Sequence, residues 1–269
     1  MSYWLFLCGM LSGVTTWLFG FGGGFITVPL LYVLVMGVWG AQSEVGQQAM
    51  QIAVATSALV MLCSALLATW RHARTGALRW RRLWAMLVGI AAGGIAGALL
   101  ALQVNGEWIR WLFVIYLLAT IIDCYFRAGF MIPPPGQTVP AVPHELTVGG
   151  IIGVIASFLG VGGSVMTVPL MRRRGMPMAE AAAMANVLTL PLAVTATLTW
   201  LLMAWASPAS LPDGFIGNIW LSAAVQLVAG SWLGLKIAAR WLAHLPDCWH
   251  VRIYPLLLIG VLLVMSVWG

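Results

Sequence analysis

Two glycine-rich stretches carry the residue types and the spacing that could bind an anion. Residues 20–30 and residues 160–170 each interrupt a long apolar run with glycines. They align without a gap at an offset of 140 residues, share glycine at three positions and end in an identical Thr-Val-Pro-Leu. Paired glycine-broken apolar segments at corresponding places in two halves of a chain indicate the binding site of a transporter.

A helix that breaks inside a membrane offers backbone N–H groups to a ligand. Unpaired backbone groups are costly in lipid, so such a break persists where it lines a polar cavity. Glycine allows a ligand to approach the main chain, and a helix restarting at Gly24 or Ser164 presents free N–H groups and a positive dipole end. We predict an anion site where these two N-termini converge near the membrane midplane. The alternative, glycines that serve only tight helix packing, is disfavoured by the duplication of the whole motif.

Neutral polar side chains within the predicted spans complete the candidate site, because uncharged donors suit a tetrahedral oxyanion. Gln47, Gln48 and Gln51 share one side of a predicted helix over residues 42–70. The alternative role for such side chains is hydrogen bonding between helices. The predicted substrate-binding residues are Gly22, Gly23, Gly24, Thr27, Gln51, Thr56, Ser57, Gly162, Gly163, Ser164, Thr167 and Asn186.

Catalytic and metal-binding patterns are missing from the sequence. A membrane enzyme needs a nucleophile and a base together, but the histidines fall in loops or at span ends, and the cysteines have no metal-ligand spacing. We therefore predict no enzyme activity, no catalytic residue, no metal and no cofactor. The residues concerned are His72, His144, His244, His250, Cys8, Cys63, Cys124 and Cys248.

Composition places the chain in a membrane. Of its 269 residues, 62% are hydrophobic and only 7% are charged, whereas soluble proteins carry roughly 25% charged residues. The apolar runs are continuous and several can cross a hydrocarbon core of about 30 Å, so the fold class is an all-α integral membrane protein. The net charge of +6 comes from basic loops between spans and does not indicate nucleic-acid binding.

The chain divides into two homologous halves that pack as one membrane unit. Residues 1–128 form the first repeat, a proline-rich segment over 129–145 links the halves, and residues 146–269 form the second repeat. Each half contains a glycine-broken hairpin and three spanning helices. The predicted segments are 3–19, 25–38, 42–70, 83–102, 108–125, 146–159, 165–171, 178–205, 215–241 and 249–267.

Loop charges predict that the two repeats are inverted. The loop after the long helix is basic in the first half, at 71–82, whereas its counterpart near Asp213 is not. In the second half the basic residues lie in the flanking loops, at 172–174 and 236–252. Basic loops face the cytoplasm, so matching loops lie on opposite sides. Each repeat then crosses the membrane an odd number of times, and each broken element either re-enters as a V-shaped hairpin or crosses twice as two short segments.

The motifs resemble those of the TauE/SafE sulfite-exporter family over nearly the whole chain. They are Phe-Gly-Gly-Gly with Thr-Val-Pro-Leu, its repeat in the second half, and Ala-Val-Ala-Thr-Ser at 53–57. One departure is Asn186-Val187, where Thr-Ser is common in the family.

The resemblance implies a multi-pass permease of a bacterial inner membrane that exports sulfite or organosulfonates by alternating access. An anion channel and an uptake permease for another organic anion are the alternatives. The expected partners are a small sulfur-containing anion and the lipid bilayer, with no nucleic acid. A homodimer through small-residue faces such as Gly93/Gly97 is compatible with the sequence.

Overall fold

A computed structural model describes residues 2–74, 83–135, 141–206, 211–241 and 246–267. Within these ranges seven helices are long and apolar enough to cross a membrane. The helices of the first half are α1 (Ser2–Phe19), α2 (Gly24–Trp39), α3 (Glu44–Gln47), α4 (Ala49–Arg74), α5 (Trp84–Gln103) and α6 (Gly106–Phe126).

Among the described residues the second half follows the same order of helices, but it has no counterpart of α3 and has one small addition. An antiparallel β-hairpin with strands of two residues each, β1 (Phe215–Ile216) and β2 (Ile219–Trp220), precedes the penultimate helix. The helices of this half are α7 (Val142–Leu159), α8 (Ser164–Arg173), α9 (Met178–Ala206), α10 (Leu221–Trp241) and α11 (Asp247–Val267). The all-α membrane class predicted from composition is confirmed.

Each half packs one of its helices along a helix of the other half. A Cβ added at Gly13 of α1 would lie 2.1 Å from the Ser231 carbonyl oxygen of α10, and one at Gly93 of α5 would lie 2.2 Å from the Gly150 carbonyl oxygen of α7. Only glycine permits such close backbone contact. Because Gly93 is buried against α7, the predicted homodimer would need a surface other than this face.

The contacts between helices fix their relative directions. Gly9 and Gly13 of α1 lie against residues 227 and 231–235 of α10, so these helices run parallel. On α5, Gly89 and Gly97 lie against residues 146–150 and 154–158 of α7, so this pair is parallel as well.

The long helix α4 links the two parallel pairs. Thr56 bonds to Trp220 and Ser64 to Ser231, so α4 runs parallel to α10. The start of α4 meets the end of α5 where Gln51 bonds to Val104, so α5 runs antiparallel to α4. Therefore α1 and α7, the first helices of the two halves, run in opposite directions.

The chain reverses direction at both glycine stretches. In the second half Arg174, at the end of α8, pairs with Glu145 in the first turn of α7, so α8 returns along α7. With 10 residues, α8 is about 15 Å long and does not cross a hydrocarbon core of about 30 Å. The hairpin of the second half thus has one long arm and one short arm.

Three predicted boundaries are wrong. The predicted helix over 42–70 is divided, because the short helix α3 ends at Gln47 and α4 begins at Ala49. The predicted span 215–241 begins with the β-hairpin. The predicted linker 129–145 ends early, because α7 begins at Val142 and accommodates Pro143 in its first turn. Parts of the predicted basic loop, of the linker and of the loop after α9 lie outside the described residues.

The arginines at the end of α8, which the sequence predicts to be loop charges, form ion pairs with three other helices. The shortest N–O distances are 2.6 Å for Arg172–Asp247, 2.5 Å for Arg173–Asp123 and 2.5 Å for Arg174–Glu145. The first and third pairs are bidentate, which is the strongest geometry for arginine and carboxylate. These pairs join the end of α8 to α11, α6 and α7.

Candidate functional site

The two glycine stretches meet at the centre of the molecule. We call residues 20–23 the first break and residues 160–163 the second break. A Cβ added at Gly24 would lie 2.6 Å from the Gly160 carbonyl oxygen, and one at Gly162 would lie 3.4 Å from the Phe21 carbonyl oxygen. Met61 of α4 and Thr189 of α9 also contact the breaks. Both of these residues lie near the middle of long helices, so the breaks are buried within the bundle.

The first break is closed by hydroxyl groups of its own half. Gly20, Gly22 and Gly23 all have positive φ, of 72°, 62° and 91°, a region that other residues rarely adopt. The Gly23 carbonyl oxygen accepts hydrogen bonds from the Ser12 hydroxyl at 3.0 Å and from the Thr27 hydroxyl at 2.9 Å. Thr27 is therefore satisfied by the turn that begins α2.

The second break leaves donors without partners. Gly160 and Gly162 have positive φ, but Gly163 has φ −65° and ψ −9°, which is helical. Backbone hydrogen bonding into α8 starts with Met166 and Thr167, which both donate to Gly163 O.

The backbone N–H groups just before these, at Ser164 and Val165, have no backbone partner among the described residues. The hydroxyls of Ser164 and Thr167 are fully buried and also lack a described hydrogen-bond partner.

This arrangement can bind an anion without a charged side chain. Backbone N–H groups and two hydroxyls lie together at the positive end of α8. A buried donor without a partner costs roughly 1–3 kcal/mol, and a ligand oxygen that accepts from it removes that cost. The buried charged residues in the described chain, Arg110, Glu145, Arg172 and Arg174, form no hydrogen bond or ion pair with either break.

Residues predicted on α4 are divided between different roles. The Ser57 hydroxyl shares its one proton between the Val54 carbonyl oxygen of its own helix, at 2.8 Å, and the Gly160 carbonyl oxygen of the second break, at 3.0 Å. The Thr56 hydroxyl instead accepts from the Trp220 N–H at 2.9 Å and anchors the β-hairpin. Gln51 lies at the far end of α4, where its amide donates to Val104 O. The structure thus places Ser57 at the breaks and Thr56 and Gln51 elsewhere.

Asn186 lies beside the end of α1. Its amide nitrogen donates to the Thr16 carbonyl oxygen at 3.0 Å, and its Oδ1 is buried without a partner among the described residues. One N–H of the Asn186 amide is therefore used by Thr16, while its second N–H has no described partner and Oδ1 is an acceptor. Thr189, one turn further along α9, contacts both Gly22 and Gly162.

Sequence reasoning missed several residues that shape the breaks. Ser64 has its Oγ 3.1 Å from the position of a Cβ on Gly23, and the same hydroxyl lies 2.8 Å from Ser231 Oγ. Tyr254 of α11 donates to Val165 O at 3.0 Å and so holds the first turn of α8. The spacing of Thr189 from Asn186, one helical turn, was the available signal for Thr189. No comparable sequence signal identifies Ser12, Ser64 or Tyr254.

A multi-pass helical bundle with two broken helices meeting at its centre defines a membrane transporter. The chain belongs to the sulfite exporter TauE/SafE family, whose sequence profile matches residues 5–267. It is 26% identical over 264 residues to a probable membrane transporter protein of Haemophilus influenzae, with 96% of each chain covered.

A probable membrane transporter protein of Methanocaldococcus jannaschii is 24% identical over 260 residues, covering 96% of this chain and 92% of the relative. No solved structure matches. Because the family and these relatives are transporters, the chain is assigned to transport and not to catalysis.

Proposed function

We propose that this protein exports a small sulfur-containing oxyanion, sulfite or an organosulfonate, across the cell (inner) membrane. The observation that carries the proposal is a pair of fully buried hydroxyls, Ser164 and Thr167, at the start of α8. Among the described residues, neither these hydroxyls nor the first N–H groups of α8 have a hydrogen-bond partner. Buried polar groups are normally hydrogen-bonded, so the pair is suited to a ligand with several acceptor oxygens. The family description supports sulfite as the first substrate to test and export as its direction.

The substrate site in this proposal comprises the two breaks together. The backbone and hydroxyl donors come from the second break and from the start of α8 directly after it. They belong mainly to Gly162, Gly163, Ser164 and Thr167. The first break, with Gly22, Gly23 and Gly24, forms the opposite wall, and Ser57 holds the Gly160 carbonyl in place. Thr27 supports the first break, and Asn186 holds the end of α1 that leads into it. Thr56 instead anchors the β-hairpin, and Gln51 lines a separate cavity.

Alternating access of two inverted repeats is the proposed mechanism. The opposite directions of α1 and α7, together with the parallel pairs α1/α10 and α5/α7, support an inverted duplication. We propose residues 1–128 and 142–269 as the repeats. The glycine-broken hairpin of each repeat packs along a helix of the other repeat, α1 along α10 and α7 along α5. The units that move would therefore each combine parts of both halves. Rocking of such units around the breaks would expose the site to one side and then to the other.

Flux measurements on purified protein in liposomes test this function. Liposomes loaded with sulfite should lose it with a rate that saturates as the internal concentration rises, and organosulfonates should compete. Liposomes containing the Gly23→Val and Gly163→Val variants provide the matched controls. Sulfite loss equal to that of protein-free liposomes, with no competing sulfonate found, would reject the proposal. A rate that never saturates would identify an anion channel.

A further inference from the structure

A second polar region lies away from the breaks, where α2, α4, α5 and α6 end or begin. A cavity of about 620 Å³ is lined there by Tyr32, Gln47, Gln51, Asn105, Glu107 and Arg110 among others. Tyr32 lies eight residues along α2 from Gly24, which corresponds to about 12 Å. The cavity is therefore about two turns of α2 away from the first break.

Arg110 is a buried cation without a counter-ion. Its residue surface is 9% exposed, and it makes no hydrogen bond or ion pair with any residue that the structure describes. The guanidinium carbon lies 5.0 Å from the centroid of the neighbouring Trp111 ring, a contact that stabilises the cation without neutralising it. By contrast, the buried Arg172 and Arg174 each bind a carboxylate. The Arg110 guanidinium lines the cavity, so its charge, unpaired by any described residue, faces a space that a ligand can enter.

The groups around Arg110 suit an oxygen-rich ligand. The first-turn N–H groups of α6, at Gly106 and Glu107, have no partner within the helix, and the Asn105 side chain does not cap them. Gln51 donates to Val104 O, while its Oε1 is buried without a described partner and is an acceptor for water or a protonated oxygen. The Glu107 carboxylate also lines the cavity but is exposed, so water screens its repulsion of an anion.

We infer that this cavity is an entrance site that binds a small oxyanion through Arg110 before the anion reaches the breaks. The guanidinium fork matches two oxygens of a sulfonate, sulfite or carboxylate group, and the α6 N-terminus adds N–H donors. The anion would neutralise the charge of Arg110. The inference rests on the proposed function for its substrate class, but the binding step can be measured without transport.

Calorimetric titration of the purified protein with sulfite, methanesulfonate and acetate, each added separately, tests the site. We expect Arg110→Gln to weaken binding of the preferred anion about tenfold or more, because a charge-assisted hydrogen-bonded pair is lost. Arg127→Gln, at the other end of α6, is the matched control: it removes the same charge from a side chain that is 71% exposed and should leave the affinity unchanged. If Arg110→Gln does not fold, Arg110→Lys retains the charge but loses the fork, and it should weaken binding severalfold.

The outcomes separate this inference from the proposed function. Wild-type affinity in whichever Arg110 variant folds overturns the entrance site, even if the protein transports sulfite. Weakened binding in that variant, with Arg127→Gln unaffected, supports the entrance site, even if no flux of any sulfur oxyanion is found. Stronger binding of acetate than of both sulfur oxyanions would assign the cavity to carboxylates and overturn the sulfur-oxyanion class.

Discussion

The two breaks have the same sequence framework, but their equivalent threonines differ in hydrogen bonding. Thr27 and Thr167 occupy equivalent positions 140 residues apart. The Thr27 hydroxyl donates to the carbonyl oxygen of Gly23, whereas the Thr167 hydroxyl is buried without a described partner. The difference accompanies a change at the preceding glycine, because Gly23 is left-handed and Gly163 is helical. A repeated motif can therefore occupy its threonine hydroxyl in one half and leave it without a described partner in the other.

Valine at the last glycine of each break should have the largest effect. We expect Gly23→Val and Gly163→Val to reduce sulfite flux to the background of protein-free liposomes, because the added side chain displaces Ser12 and Ser64 at the first break and Ile152 beside the second. Gly163→Val should still insert into the membrane, since its φ of −65° is ordinary for valine. Flux assays with membrane-level quantification check both variants, and full transport by both would reject the assignment of the breaks.

Alanine at the same two positions should separate backbone strain from loss of space. Gly23→Ala places a side chain at φ 91° and 3.1 Å from Ser64 Oγ, so the free energy of unfolding should fall by about 1–2 kcal/mol. Gly163→Ala keeps an ordinary helical backbone and meets the Ile152 Cγ2 methyl at 3.1 Å, so its loss should be smaller. Thermal unfolding in detergent compares the two, and equal losses would contradict the difference in backbone conformation.

Removing one serine hydroxyl beside each break should have the smallest effect. Ser12→Ala leaves the Gly23 carbonyl with its bond from Thr27. Ser57→Ala removes the described hydroxyl partner of the Gly160 carbonyl. We expect Ser57→Ala to be less stable than Ser12→Ala by about 1 kcal/mol, measured as the shift in midpoint of thermal unfolding. The reverse order would show that the first break depends more on its hydroxyls than the second.

The sequence predicted the position of the breaks because glycine runs and apolar spans are local features. It did not distinguish Thr27 from Thr167, because their difference depends on the backbone conformation that packing imposes at Gly23 and Gly163. The ion pairs of Arg172 and Arg174 join residues 75 and 29 positions apart, so no local pattern revealed them. Gln51 was predicted at the breaks from its polarity within a span, but α3 ends just before α4 and Gln51 lies at the start of the latter.

Replacing the two equivalent threonines by valine tests the central claim most directly. The rate of sulfite flux is measured against sulfite concentration for Thr27→Val and Thr167→Val in the same liposomes. The account predicts that Thr167→Val raises the KM about tenfold or more, since a hydrogen bond to a charged ligand is worth about 1.5–3 kcal/mol. Thr27→Val should change the KM less than about twofold, because its hydroxyl is already bonded to Gly23. An unchanged KM for Thr167→Val, or an equal rise for both variants, would contradict the assignment of the second break as the anion-binding surface.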